Sequence, residues 1–235
     1  MASHAQHKKT KSGGRPSAKD APELHEQGAP IDGKPQHLNR RLFFSLQAFD
    51  GVRDISELVS ALHKAGIAGV LYADMNNARG AALLTFNEDE NYFVTTIRDM
   101  LSADPFVGLM PRREYTMFGR TYALGYERDL KDWLIHRPAR RVLDPEWPWA
   151  IWYPLKRKDE FARLPQDEQK MILREHGAIG MSFGQAEMAL DVRLACHGLD
   201  NNNNDFVIGL LGKRLHPLSA LVERMRGTVQ TSTYM

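Results

Sequence analysis

The densest run of chemically capable side chains lies between Trp147 and Gly177, WPWAIWYPLKRKDEFARLPQDEQKMILREHG. Trp147, Trp149, Trp152 and Tyr153 give one segment aromatic character on both sides, and Lys156, Arg157 and Lys158 follow at once. Aromatic rings beside cations can line a pocket for a flat apolar ligand bearing carboxylates, although a buried strand ending in a solvated basic turn has the same pattern. His176 stands four residues after Ile172 and three after Leu173, on the apolar side of a helical pattern and at its expected C-terminal end. There it serves either as a core or capping residue or as a neutral metal ligand whose second nitrogen is hydrogen-bonded. Asp191 and Arg193, two apart in a strand pattern, share one face, and Leu190, Val192 and Leu194 point the other way. If the apolar face packs on helices, the charged pair looks into the sheet-lined space, where it needs mutual pairing or a polar ligand. A purely structural ion pair satisfies the pattern equally.

Several chemistries are absent. The single cysteine, Cys196, rules out an internal disulfide and a thiolate metal cluster, and its apolar strand-like surroundings read as a buried inert thiol. No glycine-rich phosphate loop, HExxH or nucleophile elbow occurs. GLDNNNND lacks the alternating acids of a calcium loop and reads as a turn with local Asx hydrogen bonds. A net charge of +2, with much of the basic excess near the N-terminus, argues against nucleic acid as a partner. No run of eighteen apolar residues occurs, which argues against a membrane span, and the polar opening residues do not read as a secretory signal. A cytoplasmic location is the simplest expectation.

The elements that position these residues repeat. Residues 1–38, rich in Gly, Pro, Lys and Ser, are expected to form a disordered arm. From 39 to 125 the pattern is β-α-β-β-α-β: RRLFFSLQAF as a strand, ISELVSALHKAG as an amphipathic helix stopped by Gly66, AGVLYADM and AALLTF as an antiparallel pair, NYFVTTIRDML as a helix and REYTMFGRTYALG as a strand. A proline-containing connector spans 126–147. The order then recurs over 148–235: WAIWYPL, a helix from Pro165 to His176 stopped by Gly177, a strand from Met188 to Cys196, DFVIGLL, the helix HPLSALVERMRG and a final strand TVQTSTY. The fold class is α+β, two tandem ferredoxin-like units whose antiparallel sheets form a barrel-like core.

Within this frame the chain resembles the chlorite dismutase and coproheme decarboxylase family. The resemblance rests on Tyr153-Pro154-Leu155-Lys156-Arg157, Leu164-Pro165 with Glu168, Glu175-His176-Gly177 with Gly180, Gly198-Leu199-Asp200 with Asp205-Phe206-Val207, and Leu221-Val222 with Met225-Arg226. It covers about residues 40 to 235 and is most specific in the C-terminal half.

The resemblance implies a haem protein that forms homo-oligomers, pentamers more often than dimers, with haem b or iron coproporphyrin III (coproheme) in the C-terminal unit. His176 matches the iron's axial ligand, and Tyr153 matches the tyrosine that coproheme decarboxylases oxidise during loss of propionate carboxyls. Arg157 stands where the family has a lysine near a propionate; Lys156, Trp152 and Met188 are further cofactor-binding candidates. The family's distal arginine or glutamine is not matched, since one count lands on Ala189 and another on Asp191, with Arg193 nearby; Asp191 and Arg193 join Tyr153 as catalytic candidates. The activity implied first is hydrogen-peroxide-dependent decarboxylation of coproheme to haem b. Chlorite dismutation, a peroxidase, sensor or carrier role, and a non-enzymatic interaction protein are the alternatives. An enzyme predicts an open pocket between Tyr153, Asp191 and His176; an interaction protein predicts a barrel space filled with side chains.

Overall fold

The computed structural model describes residues 22–235. In chain order the elements are β1 (Glu26–Ile31), β2 (Lys34–Leu38), β3 (Phe43–Asp50), α1 (Ile55–Lys64), β4 (Gly69–Ala73), β5 (Ala81–Asn87), α2 (Asn91–Val94), α3 (Thr96–Leu101), β6 (Met110–Pro111) and β7 (Met117–Thr121). A π-helical turn (Asp132–His136) leads into α4 (Arg137–Val142), followed by β8 (Trp149–Leu155), α5 (Asp159–Arg163), α6 (Gln166–Gln185), β9 (Leu190–Ala195), β10 (Phe206–Gly212), α7 (Leu215–Arg226) and α8 (Val229–Tyr234). Among the described residues no helix is long and apolar enough to cross a membrane.

One antiparallel sheet runs β4-β5-β3-β7-β9-β10-β8, with β6 paired to β3. The first unit has the expected ferredoxin-like order. Asp54 caps α1 by accepting from the Ser56 N–H, Leu58 and Leu62 turn inward, and Gly66 ends the segment at φ +64°. β7 then pairs with β9, so the two units share a single sheet.

Alternation along the strands sorts the side chains into two faces. Phe44 and Leu46 of β3, Leu84 of β5, Val192 and Leu194 of β9, and Val207 and Leu211 of β10 fill the inner face. The end strands contribute Val70 and Tyr72 (β4) and Ala150 and Trp152 (β8) to the same cluster, so the sheet curls like a barrel although no ladder pairs β4 with β8. On the outer faces α1 and α3 cover one half, while α6 and α7 pack on Ile151, Ile208 and Leu210 of the other.

Four expectations change. Residues 26–38, expected in the disordered arm, form the β1–β2 hairpin, fixed by the Gln36 side chain donating to the carbonyls of Ala29 and Glu127; the arm's residues 1–21 lie outside the described part. The helix expected to stop at Gly177 runs on to Gln185, because Ile179 and Phe183 continue the buried face. Its stop is Glu187 at φ +52°, with the Met188 N–H returning to the Phe183 carbonyl. The final strand is instead α8: alternating Val and Thr suit a strand locally, but Tyr234 stacks edge-on against Phe161 and its carbonyl accepts from the Lys158 N–H. The apolar face of β9 lines the sheet interior, and Asp191 and Arg193 look the other way, because the interior is the drier of the two sides.

Trp152 depends on one glycine. A Cβ at Gly209 would lie 2.6 Å from the Trp152 ring, so Gly209 is the only residue type that lets the indole lie flat across β10. We expect Gly209→Ala to destabilise the fold by about 1–3 kcal/mol through overpacking. Thermal unfolding checks this: a lowered midpoint that Trp152→Leu restores in the double variant is the expected result.

Candidate functional site

The outer face of the C-terminal half of the sheet carries the candidate residues. Cross-strand register puts Tyr153 (β8), Ile208 (β10) and Arg193 (β9) in one row, and Ile151, Leu210 and Asp191 in the next. α6 lies over this face through Ile179 and Phe183, which puts His176, three and seven residues before them on the same side of the helix, toward the sheet.

His176 is half-buried in the middle of α6 rather than at its end. Its Nδ1 lies 3.1 Å from the Thr228 hydroxyl, and that hydroxyl lies 2.7 Å from the Met225 carbonyl. Two oxygens at 2.7 Å need a proton between them, so the Thr228 hydroxyl donates to Met225 and must accept from His176. Nδ1 therefore carries the proton, and Nε2, with no hydrogen bond among the described residues, presents a lone pair. Burial pushes the imidazole pKa below its ordinary value, and the charges of Arg193 and Arg157 push the same way against Glu175. A neutral ring with one nitrogen anchored and the other open is the form in which histidine binds a metal.

Asp191 holds two arginines. Its carboxylate accepts from Arg193 Nε and, at 2.8 Å, from Arg141 Nη1, which also donates to the Asp191 carbonyl. Burial works against the Asp191 charge, but Arg193 and Arg141 outweigh it and keep the carboxyl below the usual range; Arg193 is raised in return. At the other end of the row, Arg226 Nε donates to Tyr153 Oη at 3.3 Å. The Arg157 guanidinium stacks on Phe161 and Phe206 at 4.6 and 4.9 Å, with its buried Nε unpartnered.

Two cavities divide the candidates. One of about 470 Å³ is lined by Tyr153, Leu155, Lys156, Arg226 and Thr231. A much smaller one lies beside Asp191 and Arg193. Neither is lined by His176, so no single described cavity joins Tyr153, Asp191 and His176, and the inner barrel space is filled by side chains, the arrangement expected of the non-enzymatic alternative. The candidates, however, do not face that space; they face α6 and α8. Trp152 is not among them, since its ring points into the inner core, and Met188 is exposed beyond the far end of α6. Cys196 is fully buried and its thiol is pushed up to about 12 by burial, as an inert thiol should be.

A family model described as chlorite dismutase matches residues 90–235, more than half of the chain. The chain belongs to the chlorite dismutase family. Among solved structures, a mutant chlorite dismutase from Candidatus Nitrospira defluvii aligns with a TM-score of 0.62 at 14% identity, covering 84% of this chain and 87% of that one. The chlorite dismutase of the same organism in complex with imidazole gives 0.61 at 15% identity, and a mutant in complex with cyanide gives 0.63 at 13%, each with the same coverage. At such identities these structures speak for the fold. Among curated proteins none matches the chain.

For a family of haem-binding oxidoreductases, the residues present fit the group. The free Nε2 of His176 is a suitable axial donor, and Lys156, Arg157 and Arg226 are cations within the same half of the unit. Thr228, Arg226 and Arg141 had no role assigned from sequence. Thr228 sat in a segment read as a strand, and the run RPARR gave no sign that Arg141 would reach Asp191.

Two outcomes follow. Asp191→Asn leaves two guanidiniums facing a neutral amide, and we expect about 3 kcal/mol of lost stability in urea unfolding at neutral pH. Because the folded carboxyl is held below its unfolded pKa, this contribution is present above about pH 4 and disappears as pH falls further, so wild type and variant should converge in acid. Thr228→Val removes the nearer of the two hydroxyls at Nδ1, leaving Thr231 Oγ1 at 3.5 Å; nitrogen NMR of the imidazole should show an Nδ1-protonated ring in the wild type and a larger share of the other tautomer in the variant.

Proposed function

We propose that this chain is a peroxide-dependent coproheme decarboxylase that binds its iron tetrapyrrole through His176 and converts it to haem b. The observation that carries the reading is the row Tyr153–Arg226 beside Lys156 and Arg157, a phenol among cations on the side of the sheet that His176 faces. Among the described residues no three His, Cys, Asp or Glu side chains gather around a point, so a single histidine suits a metal that arrives with four ring nitrogens of its own.

When bound, the iron porphyrin with hydrogen peroxide supplies the oxidising power. The chain's residues do the rest. His176 Nε2 would hold the iron, with Thr228 Oγ1, 3.1 Å from Nδ1, fixing the imidazole's angle. Arg226, Arg157 and Lys156 attract propionate carboxylates, and Arg226 at 3.3 Å from Tyr153 Oη brings a carboxylate it holds next to the phenol. Once its phenol had lost an electron and a proton, Tyr153 Oη would take a hydrogen atom from the propionate side chain, and loss of a second electron from that side chain to the peroxide-derived oxidant would release carbon dioxide and leave a vinyl group. For each propionate, one peroxide accepts the two electrons released and ends as two waters. The exposed mouth at Lys156 gives peroxide a path.

Chlorite dismutation is the second reading. It calls for an arginine free to meet a chlorine oxyanion over the iron, and here Arg193 is held by Asp191, which favours decarboxylation. The family's homo-oligomeric assembly, a pentamer before a dimer, belongs to the same proposal.

Iron coproporphyrin III added to the purified chain and titrated with hydrogen peroxide, with the pigments resolved by mass spectrometry, tests the function. The expected result is stepwise loss of two carboxyl groups; tight binding without loss removes the decarboxylase reading. Tyr153→Phe should bind the pigment and stop the reaction, and His176→Ala should abolish the axial-nitrogen spectrum.

A further inference from the structure

Thr231 of α8 stands between two parts of the candidate site. On one side it lines the cavity of about 470 Å³ with Tyr153, Lys156 and Arg226; on the other its Oγ1 lies 3.5 Å from His176 Nδ1. α8 is therefore a wall between the imidazole and the cavity that holds the phenol and the cations, and neither described cavity passes it. A flat ligand that touches both sides has no room while the wall stays in place.

The bonds that hold α8 are few. Six residues do not sustain a helix alone. At its start the Val229 N–H donates to Glu175 Oε2 at 3.2 Å. At its end the Lys158 N–H and ammonium donate to the carbonyls of Tyr234 and Thr233 at 2.9 and 2.7 Å, and the Tyr234 ring meets Phe161 edge-on at 5.5 Å. Between these ends Gln230 is buried, and its side-chain amide has no hydrogen bond among the described residues, a cost that weakens the seat. The joint with α7 is firmer. Gly227 closes α7, Thr228 is extended, and the Thr228 hydroxyl bonds Met225 and His176, both outside α8. A swing about Gly227 and Thr228 opens the wall and leaves the imidazole anchored. We propose that α8 is a gate, latched by Lys158 and Phe161, that swings away to admit a tetrapyrrole to His176 and closes behind it. The inference rests on the reading that His176 holds an iron tetrapyrrole. Phe161 also stacks on the Arg157 guanidinium at 4.6 Å, so the latch touches a cation assigned to a propionate.

Lys158 and Thr233 are exposed and line neither cavity, and the contact of the Lys158 ammonium with the Thr233 carbonyl puts the two positions within reach of a short thiol-cleavable bismaleimide once both are cysteine. Cys196 is fully buried and does not compete. The full chain carrying Lys158→Cys and Thr233→Cys, first tethered and then cleaved and desalted, is mixed with iron coproporphyrin III while the axial-nitrogen spectrum is followed. The expected result is loss of binding by the tethered chain, at a thermal midpoint no lower than that of the cleaved one, and return of binding after cleavage. Tyr234→Ala, which takes the ring off Phe161, should bind about fivefold faster than wild type. Hydrogen exchange without pigment should find the α8 amides less protected than those of α7. Equal binding by the tethered and cleaved chains, or α8 amides as protected as those of α7, overturns the gate and leaves the tetrapyrrole reading standing; an axial-nitrogen spectrum absent from the wild type as well overturns that reading, and the gate with it.

Discussion

The pairing of β7 with β9 sets the geometry of everything C-terminal to it. It is short, with Arg120 opposite Ala195 and Thr121 opposite Leu194. It is also close, because a Cβ at Gly119 would sit 2.7 Å from Cys196 Sγ and 2.9 Å from Leu194 Cβ. Through this contact the inner face of the first unit continues into the second, so Leu194, Val192 and Cys196 have to turn inward, and Asp191 and Arg193 have to turn toward α6. Because the pairing stops at Thr121, the far end of β9 lacks a strand neighbour on that side. Arg141 supplies the donor that the Asp191 carbonyl would otherwise lack, which ties the connector to the sheet.

The sequence made the first unit legible because its signals are local: the helical apolar spacing from Ile55 to Leu62 and the Gly66 stop after it each act over a few residues. The second unit was harder where tertiary contacts decided. Gly177 looked like a helix stop, yet a glycine in a helix interior costs only about 1 kcal/mol, and Ile179 and Phe183 offset that by packing on the sheet. TVQTSTY alternates as a strand does, but Tyr234 finds Phe161 only in three dimensions. The orientation of β9 was equally hidden, since alternation says which residues share a face and not which face meets the helices.

The site divides in the same way. His176, Tyr153 and Arg157 stood out because they sit in a compact motif whose order is preserved, and Asp191 with Arg193 because two charges in an apolar strand are costly alone. Thr228 and Arg226 follow His176 by some fifty residues, and nothing in the local pattern tells a hydroxyl that anchors an imidazole from one that caps a helix. Arg141 required knowing that β7 ends early. In each case the missing information was a long-range contact between elements correctly or nearly correctly identified.

Replacement of the last strand by α8 also leaves β8 at the sheet's margin, paired on one side only. Such margins invite edge-to-edge association between molecules, because their outward amides and carbonyls are a template for a further strand. Pro154, near the C-terminal end of β8 and next to Tyr153, has no amide hydrogen to offer. The strand that carries the phenol is therefore poorly suited to recruit a foreign strand, and the cavity lined by Tyr153 can stay open to solvent without exposing the chain to aggregation along that edge.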